Sequence, residues 1–246
     1  MKAPIPTSGG YPILVGLGYK ARRGKDTVAN TIIAERGHKY DIRRYAFGDA
    51  LRAEVEAAAF DRWVQDFPNI PHEAMMKTDP KTIIYNLCRS LGVPFDYDAR
   101  VEPNYPYSKQ RALYQWWGTE LRRNVDPFYW VRKLRERIER ENPRFAIITD
   151  VRFRNEISYI HSMEGYTVRV ERRGYEEKLS ATQSKHVSEV ELDSADDTVW
   201  NYSLSGAEGD VEDLKRQGIA MFDSIVESLS FPLMDQLLFL SQVTQG

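Results

Sequence analysis

The sequence predicts an α/β fold with a mostly parallel sheet and helices on both of its faces. Short apolar runs such as "YPILVGLG" and "RFAIITD" have the length and composition of buried strands. Segments such as "DTVANTIIAERG" have the character of amphipathic helices. Strands that alternate with helices at this spacing form parallel sheets, because each helix carries the chain back to the edge where the next strand starts.

The composition is typical of a globular protein. Of the 246 residues, 42% are hydrophobic and 12% are aromatic. Disordered chains are poor in both classes of residue. The formal net charge of -2 gives no global basic field for nucleic acid or a membrane surface. The single cysteine, Cys88, excludes an intrachain disulfide and a four-cysteine zinc site. No apolar run is long enough to span a bilayer, so we expect no membrane partner. Together with the single cysteine and the slightly negative net charge, this leads us to expect a cytoplasmic protein with no direct nucleic-acid partner.

The first predicted unit is a strand, a glycine loop and a helix. The strand in "YPILVGLG" ends at Gly18, and the helix that follows closes on Gly37, a residue type that commonly ends helices. A second strand is predicted within "YDIRRYAF", residues 40–47. From residue 48 to 108, apolar helical pieces alternate with loops rich in Pro, Asp and Tyr, which indicates an inserted helical region.

The segment "QRALYQWWGTELRRNV" is predicted to be an amphipathic helix. Leu113, Trp117 and Leu121 follow the spacing i, i+4, i+8 and form one apolar stripe. Another face would carry Gln115, Thr119 and Arg122.

The next predicted helix is "DPFYWVRKLRERIERE". Asp126 is the expected N-cap and Pro127 the first helical residue. The stripe that this helix would bury consists of Trp130, Leu134 and Ile138.

The last third of the chain returns to alternating elements. A buried strand, "RFAIITD", ends at Asp150, and the helix in "FRNEISYIHSMEG" stops at Gly165. The strands "YTVRVE" and "DTVWNY" and the helix "DVEDLKRQGIAMFDSIVESL" follow. The apolar, helical C-terminal segment "FPLMDQLLFLSQVTQG" either packs on the core or forms a homodimer contact. We therefore divide the chain into a core of residues 1–47 and 126–246 and an inserted region of residues 48–125.

The stretch "ILVGLGYKARRGKDT" has the features of a phosphate-binding loop. Backbone N–H groups at a helix start surround an anion, and a lysine such as Lys25 reaches the outer phosphates. Two features depart from the common motif. Gly18 and Gly24 are separated by five residues rather than four, and Asp26 stands where Ser or Thr usually holds magnesium. Asp26 can bind the ion directly or through water, and Thr27 supplies a hydroxyl one position later.

Several motifs together resemble the phage deoxynucleoside monophosphate kinases. They are "GKDT", "AFGDALR", "QWWGTELRR", "DPFYW", "ITDVRFRNE" and "KHVSE", in this order, across residues 13–205. The resemblance implies a P-loop fold, and transfer of the γ-phosphoryl group of ATP to a deoxynucleoside monophosphate with Mg²⁺. The inserted region would bind the monophosphate, and residues 172–192 would form a lid.

The resemblance and the chemistry of phosphoryl transfer together suggest the site residues. Asp150 ends a central strand at the ligand-binding edge of the sheet and would hold magnesium, and Arg152 would neutralise phosphoryl charge. The catalytic residues would be Lys25, Asp150, Arg152 and Arg122. The metal ligands would be Asp26, Thr27 and Asp150. The ATP side would use Arg22, Arg23, Gly24, Lys25, Asp26, Thr27, Arg152 and Arg172. The acceptor side would use Lys20, Arg44, Arg52, Gln115, Thr119, Arg122, Arg123, Trp130, His186 and Glu189.

Structural alternatives stand beside these assignments. Asp150 is also suited to capping a helix, and Trp130 is of a residue type that often lies in the core. Ser188 is suited to capping a helix that starts beside His186. The loop is expected to bind phosphate from Arg22 to Thr27, while the residues before Arg22 bulge or face the acceptor.

Three alternative functions are also left open. They are a kinase of another small phosphorylated acceptor such as phosphomevalonate, a nucleic-acid-associated P-loop ATPase, and a nucleotide-binding module without catalysis.

Overall fold

A computed structural model describes most of the chain. The described residues are 10–20, 22–69, 78–99, 109–174, 186–207 and 210–243, with the side chains of residues 189 and 230–243 left out.

The five strands form one parallel sheet. Its strands are β1 (Ile13–Gly18), β2 (Ile42–Tyr45), β3 (Phe145–Val151), β4 (Tyr166–Arg173) and β5 (Tyr202–Ala207). Their order across the sheet is β2-β3-β1-β4-β5, and every neighbouring pair is parallel. The central β1 is buried along its whole length. The predicted α/β fold is therefore confirmed.

Helices connect the strands. They are α1 (Lys25–Arg36), α2 (Phe47–Asp66), α3 (Pro80–Leu91), α4 (Arg111–Gln115), α5 (Tyr129–Glu141), α6 (Arg154–Ser162), α7 (Val187–Val190) and α8 (Val211–Val243). Helix α4 continues without a break as a π-helix, Trp116–Arg123.

The two faces of the sheet bury separate hydrophobic clusters, because successive side chains of a strand point to opposite faces. Val15 of β1 packs with Ile32 of α1 and Phe222 of α8 on one face. Leu14 of β1 lies on the other face in a cluster with Val55 of α2 and Leu134 of α5. Helices therefore cover both faces, as the sequence predicts.

The described part of the inserted region shares its core with the sheet. Trp63 of α2 and Leu87 of α3 belong to the same buried cluster as Ile148 of β3. The boundaries of the division into a core and an inserted region remain a prediction.

The last strand lies later in the chain than the sequence suggests. Asp197–Val199 form a short 3₁₀ turn, in which the side chain of Asp196 accepts a hydrogen bond from the Thr198 amide at 2.9 Å. The strand itself begins at Tyr202. The prediction of a strand at "DTVWNY" is therefore wrong over most of its length.

Helix α5 also begins later than expected. The side chain of Asp126 accepts a hydrogen bond from the Phe128 amide at 3.1 Å, which closes a turn before the helix starts at Tyr129. Asp126 is thus two residues too early to be the N-cap. The predicted buried stripe is confirmed, since Trp130, Leu134 and Ile138 are all buried.

The π-helix changes which side chains share a face. In an α-helix, five residues turn through about 500°, so Trp117 and Arg122 would point about 140° apart. Pairing i to i+5 in a π-helix instead brings residues five apart onto the same side. Both side chains contact Glu54, so the prediction that Arg122 lies on a face away from Trp117 is wrong.

The C-terminal segment continues α8 as one helix to Val243. Its side chains from residue 230 onward lie outside the described part, so the alternatives of core packing and a homodimer contact both remain predictions. Among the described residues, no helix is long and apolar enough to cross a membrane.

We expect Phe222→Ala to destabilise the protein strongly. Phe222 is fully buried and its ring contacts those of Tyr40 and Phe145 at centroid distances of 6.1 and 4.9 Å. The loss of such a side chain should lower the free energy of unfolding by about 3–5 kcal/mol, measured by urea denaturation. Phe128→Ala, at a ring that is 51% exposed, is the control. Equal stability of the two variants would contradict the packing of α8 on this face.

Candidate active site

The candidate site lies where the carboxyl ends of β1 and β3 meet. After β1 the chain crosses to β2 on one side of the sheet, and after β3 it crosses to β4 on the other side. Ligands of open α/β sheets bind in the crevice that such diverging connections leave. The predicted phosphate loop and Asp150 follow these two strands.

The phosphate loop joins β1 to α1. Gly24 has φ of 96°, and a Cβ there would lie 2.5 Å from Cδ2 of Leu214, so both conformation and space require glycine. Tyr19 and Arg22 also have positive φ values, 85° and 53°. The extra length of the loop is thus taken up by left-handed turns on both sides of residue 21, which itself lies outside the described part.

Lys25 is the buried cation of the loop. It is the first residue of α1, is 6% exposed, and its ammonium group donates to the carbonyl oxygen of Lys20. The side chain is therefore folded back over the loop whose amides would surround a phosphate. Burial beside the positive end of a helix makes this a favourable place for an anion.

Asp26 and Arg44 form an ion pair beside the loop. Nε of Arg44, at the end of β2, lies 3.1 Å from Oδ1 of Asp26, whose side chain is 66% exposed. The sequence predicts that Arg44 binds the acceptor. In the structure Arg44 is instead held by this ion pair with the loop. Thr27 is partly buried one position later.

Asp150 caps helix α2. Its two carboxylate oxygens accept hydrogen bonds from the amides of Phe47 and Gly48, each at 2.8 Å. Burial raises the pKa of Asp150, and these two hydrogen bonds oppose the shift. The structural alternative of helix capping therefore applies, although the capped helix lies about one hundred residues earlier. Ionised carboxylates have further lone pairs, so a role in magnesium binding remains a prediction.

The basic side chains around the loop contact both flanks of the predicted lid. Arg23 donates to the carbonyl oxygen of Arg172 at 2.8 Å, before the gap at residues 175–185. After that gap, Arg152 donates to the carbonyl oxygen of Ser188 at 3.2 Å. Residues 175–185, the middle of the predicted lid, lie outside the described residues.

Lys20 also contacts the chain that follows the predicted lid. Its ammonium group pairs with Asp193 at 3.0 Å. Its predicted contact with the acceptor is untested.

Arg123 and Glu156 form a buried ion pair that the sequence analysis misses. Their side chains are 10% and 1% exposed, and the guanidinium of Arg123 stacks 3.7 Å from the ring centroid of Phe153. The other oxygen of Glu156 accepts the Arg152 amide at 2.7 Å. Arg123, which the sequence suggests as an acceptor ligand, therefore joins the π-helix to the turn after β3.

Arg122 points to a different carboxylate. Its Nε donates to Oε2 of Glu54 at 2.9 Å, and its guanidinium lies 4.9 Å from the ring centroid of Tyr129. Its side chain is 36% exposed. The other predicted acceptor residues in this area, Arg52, Gln115 and Thr119, are partly buried.

Trp130 lies in the core. Its side chain is 2% exposed, and the indole donates to the carbonyl oxygen of Gly118 at 2.9 Å. The prediction that Trp130 contacts the acceptor is therefore wrong, because a ring enclosed in this way cannot reach a ligand.

His186 caps helix α7. Its Nδ1 accepts the Ser188 amide at 3.3 Å and lies 2.8 Å from the Ser188 hydroxyl. The histidine rather than the serine is thus the capping residue. The side chain of Glu189 lies outside the described part, and the predicted ligand roles of both residues remain predictions.

Part of the chain matches a known family. Residues 99–217, slightly less than half of the chain, match the family model described as deoxynucleotide monophosphate kinase. Over this part the chain is similar to the family whose motifs the sequence analysis finds, and a kinase of this family implies ATP as the co-substrate.

The chain is also similar to TT1252 from Thermus thermophilus, known from a crystal structure, at 17% identity and a TM-score of 0.40, over 87% of this chain and 98% of that one. No curated protein sequence matches it.

The residues predicted to hold magnesium carry the donor types that this ion uses together with phosphate. The described residues contain no cluster of three or more His, Cys, Asp or Glu side chains that would enclose a metal. Magnesium, however, usually binds one or two carboxylates together with substrate phosphates and water. Asp26 on the loop and Asp150 near the end of β3 are carboxylates of this kind, and Thr27 has a hydroxyl. In the structure Asp26 pairs with Arg44, and Asp150 accepts hydrogen bonds from the amides of α2.

The buried Glu156 should make the stability of the protein depend on pH. Burial raises its pKa from 4.5 to about 7, although the charge of Arg123 opposes the shift. The folded protein then binds this proton more tightly than the unfolded chain does. The resulting stabilisation is complete below pH 4.5 and is lost as pH rises through 7.

Glu156→Gln removes this titration. We expect the free energy of unfolding of the parent, relative to this variant, to fall between pH 5 and pH 8 in urea denaturation. Glu139→Gln, at an exposed carboxylate, is the control and should show a constant difference from the parent. A constant difference for Glu156→Gln as well would contradict the shifted pKa.

Proposed function

We propose that this kinase transfers the γ-phosphoryl group of ATP to a deoxynucleoside 5'-monophosphate at the crevice between β1 and β3. The observation that carries the proposal is the buried Lys25 at the start of α1. It follows Gly24 in a loop at the carboxyl end of β1, where the connections after β1 and β3 cross to opposite sides of the sheet. The family match supports the acceptor class.

The donor side is formed by the loop. Amides from Arg22 to Thr27, at the N-terminus of α1, would surround the β- and γ-phosphates, and Lys25 would exchange its backbone carbonyl partner for a phosphate oxygen. Arg23 and Arg172 are joined by a hydrogen bond on the β4 side and would face the same phosphates. Magnesium bound through Asp26, Thr27 or Asp150 would neutralise the charge of the phosphate oxygens.

The acceptor side is formed by α2 and the π-helix. Arg122 presents its terminal nitrogens from this surface, because only its Nε is engaged by Glu54. A guanidinium with two terminal nitrogens is suited to bidentate binding of the monophosphate. Arg52 of α2, Gln115 at the end of α4 and Thr119 of the π-helix would contact the rest of the acceptor.

The reaction needs positioning and positive charge rather than a covalent protein intermediate. An oxygen of the acceptor phosphate attacks the γ-phosphorus, and the bond to the bridging oxygen of ADP breaks. The charge that develops on the three equatorial oxygens would be stabilised by Lys25 and Arg152. Arg152 contacts the flank of the predicted lid, so lid closure would bring its charge onto the transferred group and exclude water.

We expect Lys25→Ala to lower kcat by about 100-fold to 1000-fold, because it removes the cation closest to the transferred group. The measurement is ADP release in a coupled assay, with dAMP, dGMP, dCMP, dTMP, their ribose counterparts and phosphomevalonate as acceptors. Lys39→Ala, at an exposed lysine beyond the other end of α1, is the matched control. Parent-like turnover of Lys25→Ala would refute the mechanism.

We expect Arg122→Ala to raise KM for the monophosphate by about tenfold to 100-fold, the effect of losing a charged hydrogen-bond pair. KM for ATP should stay within about twofold, because the described part of the phosphate loop lacks a contact with Arg122. Initial rates measured with each substrate varied in turn separate the two constants. A parallel rise in both would argue against a role confined to the acceptor.

A further inference from the structure

The carboxylate of Glu54, in helix α2, accepts hydrogen bonds from three donors. Its Oε2 accepts the Nε–H of Arg122 at 2.9 Å and the indole N–H of Trp117 at 3.2 Å. Its Oε1 accepts the hydroxyl of Tyr129. The carboxylate is 22% exposed, so these partners replace most of its water.

Glu54 and Tyr129 restrain the guanidinium of Arg122 in two directions. Glu54 fixes the edge that carries Nε, and the ring of Tyr129 lies 4.9 Å from the guanidinium carbon. The same tyrosine bonds to Glu54 through its hydroxyl, so the ring and the carboxylate support each other. An arginine held by one edge and one face has only its terminal nitrogens left to bind a ligand.

The terminal nitrogens of Arg122 carry no hydrogen bond to any acceptor in the part of the chain that the structure describes. The neighbouring Arg123 differs, because one of its terminal nitrogens binds Glu156 in the interior and the other donates to Asn155 at 3.5 Å. Of these two adjacent arginines, Arg122 is therefore the one prepared for an anion from outside the protein.

The π-helix is what makes the Glu54 arrangement possible. Trp117 and Arg122 are five residues apart, and i to i+5 pairing places both donors on the side of Glu54. π-Helical segments occur frequently at functional sites.

We infer that Glu54 is a positioning residue, which orients Arg122 for the phosphate of the acceptor monophosphate. This inference rests on the proposed role of Arg122. It predicts a selective effect on KM for the acceptor, since the described donors to Glu54 are Arg122, Trp117 and Tyr129, and Glu54 would act through Arg122.

The decisive experiment measures KM for ATP, and for those of dAMP, dGMP, dCMP and dTMP that the parent phosphorylates, for Glu54→Ala, Arg122→Ala and the double variant. We expect Glu54→Ala to raise KM for the monophosphates about tenfold with little change in KM for ATP. The double variant should resemble Arg122→Ala, because Glu54 acts through that residue. Glu54→Gln, which keeps an oxygen for Nε, should recover part of the loss.

Glu139→Ala is the matched control, since it removes an exposed carboxylate that pairs with Arg135 within α5. Parent-like constants for Glu54→Ala would overturn the inference. An equal rise in both KM values together with a lower melting temperature, or additive effects in the double variant, would overturn it too. If Glu54→Ala does not fold, the same comparison with Glu54→Gln decides between these outcomes. An Arg122→Ala variant with unchanged KM for monophosphates would instead refute the proposed acceptor site.

Discussion

The contact between Asp150 and the start of α2 is the constraint on which the site depends. A carboxylate at the end of β3 binds the first two amides of a helix that begins directly after β2. These amides have no partner within the helix, so the contact satisfies donors that would otherwise be buried and unpaired. It also fixes α2, which carries Arg52 and Glu54, relative to the phosphate loop. A substitution at Gly48 would disturb this geometry, because a Cβ there would lie 3.1 Å from Oδ2 of Asp150.

A second connection runs from the π-helix to the turn after β3. Glu156 binds the side chain of Arg123 and the backbone amides of Arg152 and Phe153. One buried carboxylate thus holds the segment that carries Arg122 and the turn that carries Arg152. The two arginines that would act on the acceptor and on the transferred group are therefore joined through the protein interior. A shift of the π-helix would also displace Arg152, because Glu156 binds both segments. Separating a buried ion pair leaves an unpaired charge in the interior, which is costly.

The parts of this fold that depend on local sequence are those that the sequence predicts well. The strand "RFAIITD" and the stripe of Trp130, Leu134 and Ile138 have clear periodicity, and Lys25 follows from its neighbours along the chain. The edge strand "YSLSGA" has small, polar residues, so the more β-branched "DTVWNY" before it is a stronger but misleading signal. The partners of Arg122 and Arg123 lie 68 and 33 residues away, and tertiary packing alone brings them together.

The π-helix explains why two adjacent arginines can have different functions. In a regular α-helix, neighbouring residues differ by about 100° in direction, and Arg122 would lie away from Trp117. The wider turn moves Arg122 onto the side of Trp117 and Glu54, while Arg123 points inward to Glu156 and Phe153. Wider turns carry weaker backbone packing, so such a segment persists only where side-chain contacts compensate. Here the compensation comes from Glu54 and Glu156 together, which means that the helix distortion and the placement of the arginines stabilise each other.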